Sequence, residues 1–154
     1  MARILLSSWG SFGDVYPYVG IALALKARGH RPGLAVPEFY RSLVEGVGLE
    51  FHPVGPQVDP SDRATIARLI DPIRGAKAII DGILMPSLRA DRAALDAEAR
   101  GADLLVTHPI TFAGPLVAEK HGLPWISTLL APISFFSATD FPVLPNAPGL
   151  TQHM

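Results

Sequence analysis

The sequence predicts a doubly wound α/β domain, in which a Rossmann-like parallel sheet is covered by helices on both faces. Short apolar runs typical of buried parallel strands alternate with segments of helical periodicity from residue 4 to residue 130. The connections are short, and glycines stand where helices are expected to end. Right-handed crossovers then predict a sheet with the strand order 3-2-1-4-5.

The opening residues predict the first strand and the first helix. Residues 4–6 form an apolar run that a loop containing Gly10 and Gly13 follows, which is typical of a buried strand. The helix after this loop is expected to end at Gly29, because a residue without a Cβ atom suits a left-handed helix terminus. The apolar residues of this helix recur at helical spacing: Val15, Val19, Ala22 and Leu23.

The second and third strands are predicted over residues 31–36 and 49–54. Pro37 opens a short helix between them, since proline suits the first turn of a helix. The apolar line of this helix is expected to face the sheet, and it comprises Phe39, Leu43 and Val47.

Residues 61–99 are predicted to be mostly helical, with breaks or kinks near Pro72 and Pro86. This region has more apolar residues than one buried stripe requires: Ile66, Ile70, Ile73, Ile79, Ile80, Ile83, Leu84 and Leu88. We interpret them mainly as core residues. The alternative is that part of this surface lines an apolar cavity or contacts another subunit.

A fourth strand over residues 102–107, a helix over 112–121 and a fifth strand over 124–130 complete the predicted sheet. Residues 131–154 contain four prolines and little periodicity, which predicts an extended loop and tail. The expected organisation is therefore one domain over residues 1–138 and a Pro-rich tail over 139–154.

Composition limits the classes of function. The 154 residues suffice for one well-buried domain, and a net charge of −1 argues against binding to nucleic acid. The chain has no cysteine, which excludes disulfides and thiol catalysis and fits a reducing compartment, so we expect a cytoplasmic protein. No apolar run is long enough for a membrane span, and no histidine or carboxylate spacing predicts a metal site.

The loop after the first strand does not have the spacing of a dinucleotide-binding loop. The glycines are separated as Gly10-Ser-Phe-Gly13, and Asp14 follows them, whereas the dinucleotide motif is G-x-G-x-x-G. A carboxylate at this helix N-terminus would repel a phosphate. The alternative is that Asp14 only caps the helix.

Asp14 follows the first strand and His108 follows the fourth. These strands are neighbours in the predicted order, and ligands bind in the crevice where the order reverses. The topology therefore predicts that the acid and the imidazole face each other across one crevice, where such a pair can remove a proton from a weakly acidic hydroxyl. The alternative for His108 is a polar residue that ends a strand before Pro109 and bonds to backbone.

Two segments resemble the N-terminal domain of GT-B glycosyltransferases, with the sterol and antibiotic glucosyltransferases as nearest kin. The first is Gly-Ser-Phe-Gly-Asp-Val-Tyr-Pro-Tyr-Val at residues 10–19, with Ala-Leu-Ala-Leu-Lys-Ala-Arg-Gly-His at 22–30. The second is Ala-Asp-Leu-Leu-Val-Thr-His-Pro at 102–109, with Ala-Glu-Lys-His-Gly-Leu-Pro at 118–124. Plant relatives have a histidine in the first motif and an aspartate after the fourth strand, and Asp14 with His108 resembles the exchanged arrangement.

The resemblance implies that a hexose is transferred with inversion from a nucleotide sugar to a hydroxyl of a lipophilic acceptor. Asp14 and His108 would be the catalytic pair, one as the general base, with no cofactor and no metal. The resemblance also implies a set of acceptor-binding residues, namely Trp9, Ser11, Phe12, Gly13, Phe135 and Phe136. On these loops, aromatic residues can equally be plain core residues.

The donor-binding C-terminal domain of that family, with its H-G-G-type motif, does not occur before Met154. We therefore expect the chain to need a donor-binding domain in the same or a partner chain, and to be inactive alone. Peripheral contact with a membrane fits a lipophilic acceptor. Two alternatives are a non-catalytic acceptor-binding or anchoring subunit of a split glycosyltransferase, and a stand-alone nucleotide-binding Rossmann domain with Glu38 near the ribose.

Overall fold

A computed structural model describes residues 1–58 and 62–131. Its five strands are all parallel and their order is 3-2-1-4-5, as the sequence predicts. The strands are β1 Arg3–Ser7, β2 Arg31–Val36, β3 Glu50–Pro53, β4 Leu104–Thr107 and β5 Trp125–Ser127. The two inner neighbours β1 and β4 are paired through Ser7 and Thr107 at their carboxyl ends.

Helices lie between the strands in chain order. They are α1 Phe12–Ala27, α2 Arg41–Gly46, α3 Arg63–Leu69, α4 Gly75–Ile79, α5 Met85–Glu98 and α6 Ala113–His121. The helix α6 ends at Gly122 with a φ of 61°, the left-handed conformation that favours glycine at this position.

The sheet is covered on both faces, which explains the unbroken apolar run of β1. Ile4 and Leu6 pack into one core cluster with residues of α1 and α2. Leu5 points to the other face and packs with residues of α5 and α6. Since successive side chains of a strand alternate between faces, the middle of a strand that is buried on both sides has no position that faces solvent.

The short helix after β2 buries a different face from the predicted one. Phe39 and Val47 are 49% and 39% exposed, and the buried residues are Tyr40 and Val44. A 3-10 turn over Glu38–Tyr40 precedes α2, and its tighter winding rotates the residues that follow relative to an α-helix. The expectation that Phe39 and Val47 face the sheet is therefore wrong. Leu23, which has the helical spacing of the apolar residues of α1, is exposed as well.

The two prolines of the central helical region act differently. Pro72 lies in the turn between α3 and α4, which confirms the predicted break. At Pro86 the chain does not break. Instead, a π-helical turn over Ile80–Leu84 leads directly into α5. Proline has no backbone N–H, and the wider π-helical turn tolerates the hydrogen bond that is therefore missing.

The fifth strand is shorter than predicted, and residues 132–154 lie outside the described residues, as do the predicted tail and Phe135 and Phe136. Within the described ranges, the structure has no helix with the length and apolarity that crossing a bilayer requires.

Candidate active site

Asp14 lies in the first turn of α1 and has two different environments for its two carboxylate oxygens. Its Oδ2 accepts hydrogen bonds from the Ser11 backbone N–H at 2.7 Å and from the Ser11 hydroxyl at 2.9 Å. The residue therefore does cap the start of the helix, as the alternative interpretation expects. Its Oδ1 faces His108 instead. The Asp14 side chain therefore caps the helix with one oxygen and faces the crevice with the other.

Gly10 gives the loop the shape that brings this carboxylate into place. Its φ is 134°, and a Cβ atom there would lie 2.3 Å from Oδ2 of Asp14. The Tyr40 hydroxyl donates a hydrogen bond to the Gly10 carbonyl oxygen at 2.7 Å, so the loop is held from the α2 side. Only glycine fits this position without displacing the Asp14 side chain.

His108 follows the last residue of β4 and is buried. Its backbone N–H donates to the Ser7 carbonyl at the end of β1, at 2.9 Å. Its Nδ1 accepts a long hydrogen bond of 3.4 Å from the Ile110 N–H. Its Nε2 lies 3.7 Å from Oδ1 of Asp14. The structure thus brings the two predicted residues together across the crevice, and His108 also makes the backbone contact that its alternative interpretation expects.

The surroundings of His108 favour the neutral imidazole. Burial lowers the pKa of His108 below its usual range, and the negative charge of Asp14 opposes this only in part. The Tyr18 ring packs edge-on at 6.3 Å between ring centroids, and burial raises the pKa of the Tyr18 hydroxyl. Because Nδ1 accepts a hydrogen bond, the proton of the neutral ring lies on Nε2 and points toward Asp14.

A cleft adjoins this pair at the carboxyl end of the sheet. Ser8 connects the two, since it lines the cleft and its hydroxyl donates to the Asp14 carbonyl oxygen at 2.8 Å. The walls are mostly apolar and come from the ends of β1 and β4, the loop after β3 and α5. The lining residues are Ser7, Ser8, Trp9, Val54, Gly55, Pro56, Leu84, Leu88, Asp91, Ile110, Thr111, Phe112 and Ala113.

The residues predicted to bind an acceptor divide into three groups. Trp9 lines the cleft and is fixed by a hydrogen bond from its Nε1 to the Pro56 carbonyl at 3.2 Å. Ser11, Phe12 and Gly13 do not line it. They are exposed at the start of α1, where Ser11 is the N-cap and Phe12 packs against other aromatic rings. Phe135 and Phe136 lie outside the described residues.

Other cleft residues were not anticipated from the sequence. Thr111 and Phe112 follow β4, so the rule that placed His108 at the crevice could also have identified them. Asp91 lies on α5, far in the sequence from the end of any strand, and no local motif marks it. Leu84 and Leu88 belong to the apolar segment for which the sequence left a cavity wall as the alternative, and both line the cleft. The main interpretation of that segment as core is wrong for Ile70, Ile73 and Ile80, which are exposed.

Two further histidines lie within hydrogen-bond distance of carboxylates away from this cleft. His52 Nδ1 lies 2.7 Å from Glu98 Oε2, and His121 Nε2 lies 2.9 Å from Asp96 Oδ1. No cluster of three or more metal-ligating side chains occurs in residues 1–58 and 62–131.

The residue that would contact a ribose in a dinucleotide-binding domain is already paired. Both oxygens of Glu38 accept hydrogen bonds from the Arg41 guanidinium. Together with the spacing of Gly10 and Gly13 and with Asp14 at the start of α1, this argues against dinucleotide binding. The fold and the site define a doubly wound ligand-binding domain with an acid–imidazole pair and a largely apolar cleft at its switch point.

Comparison with known families narrows this class. The glycosyltransferase family 28 N-terminal domain matches residues 4–132. The chain belongs to this family.

Relatives of this chain include a bacterial and a fungal protein that are named as glycosyltransferases. The chain is 36% identical over 133 residues to O-mycaminosyltylonolide 6-deoxyallosyltransferase of Streptomyces fradiae, covering 81% of the chain and 30% of that protein. It is 30% identical over 139 residues to a sterol 3-beta-glucosyltransferase of Neurospora crassa, covering 84% of the chain and 8% of that protein. The chain thus spans less than a third of either relative.

Solved structures show the same architecture. The glycosyltransferase SsfS6 of Streptomyces sp. SF2575 matches with a TM-score of 0.63 and 30% identity, over 82% of the chain and 39% of that protein. The same enzyme complexed with thymidine diphosphate matches with a TM-score of 0.64 and 29% identity, over 83% of the chain and 38% of that protein. The predicted resemblance to GT-B N-terminal domains is confirmed.

Proposed function

We propose that this domain binds the acceptor of an inverting glycosyltransferase that moves a hexose from a nucleotide sugar to a hydroxyl of a lipophilic acceptor. The observation that carries the proposal is the pairing of Asp14 with His108 beside the apolar cleft, Oδ1 to Nε2 at 3.7 Å. The family and the relatives support transfer of a sugar, and the apolar walls suit a lipophilic molecule.

Asp14 is the proposed general base. The proton of neutral His108 is on Nε2, so this nitrogen donates and does not accept. The Oδ1 of Asp14 carries free lone pairs, whereas its Oδ2 is engaged by Ser11. An acceptor hydroxyl about 2.8 Å from both groups would donate to Oδ1 and accept from Nε2–H.

The proposed reaction balances in one step. The acceptor oxygen forms a bond to the anomeric carbon while the bond from that carbon to the nucleotide diphosphate breaks. The hydroxyl proton passes to Asp14, and the diphosphate leaves with the bonding electrons. Attack from the face opposite the leaving group inverts the anomeric configuration. His108 acts through its position, since its N–H orients the attacking oxygen.

The nucleotide sugar is proposed to bind a second domain, in the same protein or in a partner. The matching family is an N-terminal domain, and the solved relative with thymidine diphosphate is more than twice as long as the matched region. The 154-residue chain alone is therefore expected not to transfer sugar, because the reaction needs donor and acceptor held together.

A cytoplasmic location and peripheral contact with a membrane are part of this proposal. Ile70 and Ile73 are 74% and 77% exposed next to the basic residue Arg74. Exposed apolar side chains beside basic ones suit the surface of an anionic membrane. Cosedimentation with vesicles that contain anionic lipid, lost in Ile70→Ser/Ile73→Ser, tests this contact.

The principal test separates the proposal from its alternatives in two measurements. Calorimetry is performed with polycyclic alcohols, with UDP and with NAD. Binding of alcohols alone supports an acceptor domain, whereas binding of NAD without alcohols would support a nucleotide-binding Rossmann domain instead.

The second measurement uses the chain fused to the donor-binding half of the Streptomyces fradiae relative. Turnover to a product of inverted configuration supports the proposed reaction. Alcohol binding by a folded fusion that gives no turnover, although the relative's own two halves are active, would support a non-catalytic acceptor-binding subunit.

A further inference from the structure

The cleft contains one carboxylate among walls that are otherwise apolar or neutral. Asp91 of α5 is the charged residue among the side chains that line it, and the neutral polar ones are Ser7, Ser8 and Thr111. Lysine, arginine and histidine are missing from the described lining. A single negative charge in such a site is costly unless something compensates it.

The contacts of Asp91 leave this charge without a cation. The carboxylate accepts a hydrogen bond from the Ser87 hydroxyl, and the Gly55 backbone N–H lowers the pKa of Asp91 but does not outweigh burial. Among residues 1–58 and 62–131, no basic side chain forms an ion pair with Asp91. Burial raises the pKa of Asp91, which reflects the cost of its charge. A carboxylate has about four acceptor sites, so capacity remains for a ligand.

The same cleft has a buried polar atom without a hydrogen-bond partner among the described residues. Thr111 Oγ1 is buried and makes no hydrogen bond in the described part of the chain. Buried polar groups are normally paired, and an unpaired one beside a cavity indicates a group that the cavity is built to receive. Thr111 also adjoins the reaction centre, since its N–H donates to the His108 carbonyl oxygen at 2.9 Å.

We propose that Asp91 is a specificity-determining residue that binds a protonated amine carried by the acceptor, while Thr111 contacts a neighbouring polar group of the same molecule. This inference rests on the proposed acceptor function and names the acceptor class, a lipophilic amino alcohol. An ammonium group both donates a hydrogen bond and neutralises the carboxylate. A hydroxyl group would leave the charge uncompensated.

The competing explanation is that Asp91 has only a structural role, through its hydrogen bond with Ser87 and its position beside the loop after β3. A purely structural carboxylate would support binding of charged and neutral ligands alike. The preference for an amine over a neutral ligand of equal shape therefore distinguishes the two explanations.

The test uses matched pairs of polycyclic alcohols of steroid size, in which one member carries a dimethylamino group where the other carries isopropyl. Binding to the 154-residue chain is measured by calorimetry at neutral pH and by the fluorescence of Trp9 in the cleft wall. We expect the amine to bind at least about tenfold more tightly than its isostere.

Variants locate the source of that preference. Asp91→Asn should remove the preference and leave the affinity for the isopropyl member within about twofold, because the amide keeps the shape without the charge. Ser87→Ala keeps the charge and should retain the preference. Glu119→Gln removes an exposed carboxylate of α6 and should change neither affinity.

The outcomes separate this inference from the proposed function. Equal binding of both members of every pair would overturn the role of Asp91 and leave the acceptor function standing. Failure of every alcohol to bind would overturn both. Loss of binding for both members in Asp91→Asn, with the fold intact by circular dichroism, would show a structural role and overturn the inference.

Discussion

The Nε2 atom of His108 lies 3.7 Å from the Oδ1 atom of Asp14, across the crevice between β4 and β1. This separation is longer than a hydrogen bond, so neither atom satisfies the other. The facing atoms are a ring nitrogen that carries a proton and a carboxylate oxygen that is free to accept one. A hydroxyl group placed between them would accept a hydrogen bond from the nitrogen and donate one to the oxygen. The predictions for catalysis follow from this arrangement.

The first prediction concerns the roles of the two residues in the active fusion with a donor-binding half. Asp14→Asn should lower kcat by about 10²–10⁴-fold, because the amide cannot take the proton. His108→Gln should retain more activity than His108→Ala, since the glutamine amide can still donate near the position of Nε2. Steady-state kinetics with a saturating acceptor measure both effects.

A reversed order would contradict this assignment of roles. If Asp14→Asn were nearly as active as the wild type and His108→Gln were inactive, the imidazole would be the base. Thr65→Ser, a conservative change on the distant helix α3, is the control for general effects of substitution.

The second prediction is a pH dependence of stability that arises from His108. Burial lowers its pKa in the folded state below the ordinary value of 6.5. The unfolded chain therefore binds the proton more readily than the folded protein. The contribution of His108 is fully present above pH 6.5 and is lost as pH falls through the folded pKa.

The comparison of wild type with His108→Gln isolates this contribution. Urea unfolding at pH 7.5 and at pH 5 should show a smaller loss of stability on acidification in the variant. An equal loss in both proteins would contradict the lowered pKa, because the other titrating groups are common to the two chains.

The third prediction concerns the loop that positions Asp14. Gly10→Ala should destabilise the protein by about 2 kcal/mol or more, because the φ of 134° is strained for alanine and the added Cβ meets the Asp14 carboxylate. Urea unfolding measures the change. The same substitution should also lower activity in the fusion by moving the proposed base.

Two other glycines provide matched controls. Gly29 has a positive φ of 82°, but a Cβ added there would meet no atom within 4 Å. Gly29→Ala should therefore lower the free energy of unfolding by only about 1–2 kcal/mol. Gly20→Ala lies inside α1 with open space and should stabilise by up to about 1 kcal/mol. A Gly10→Ala variant no less stable than Gly29→Ala would show that the contact with Asp14 does not constrain the loop.

The fourth prediction concerns the ion pairs between α5 and α6. Lys120 and, to a smaller extent, His121 lower the pKa of Asp96 below its ordinary value of 3.8. A carboxyl group with a lowered folded pKa contributes stability above the unfolded pKa and loses it as pH falls through the folded pKa. Thermal unfolding at pH 7 and pH 3 should therefore show a smaller acid-induced loss of Tm in Asp96→Asn than in the wild type.

The variant Lys120→Gln removes the main partner and should reproduce much of this effect. If Asp96→Asn lost as much Tm as the wild type between the two pH values, the ion pairs would not contribute to acid stability.

The amino-acid sequence could predict the sheet because its signals are local. Apolar runs define strands, and glycine and proline mark the ends of elements, as Gly122 and Pro72 do. The faces of the short helices could not be predicted in the same way. Tyr40 is in the core where the sequence predicted Phe39, because the 3-10 turn before α2 winds more tightly than an α-helix. Such turns follow from packing against the sheet.

The sequence by itself determined the strand order and, through it, the meeting of Asp14 and His108, because parallel strands with right-handed crossovers bring their carboxyl ends to one edge. Only the tertiary structure decided which other side chains reach the cleft. Phe112 lines it and Phe12 does not, and Asp91 enters from a helix that no motif marks. The reason is physical: a helix presents its residues to a cavity according to how it docks on the sheet, and docking depends on the packing of the whole domain.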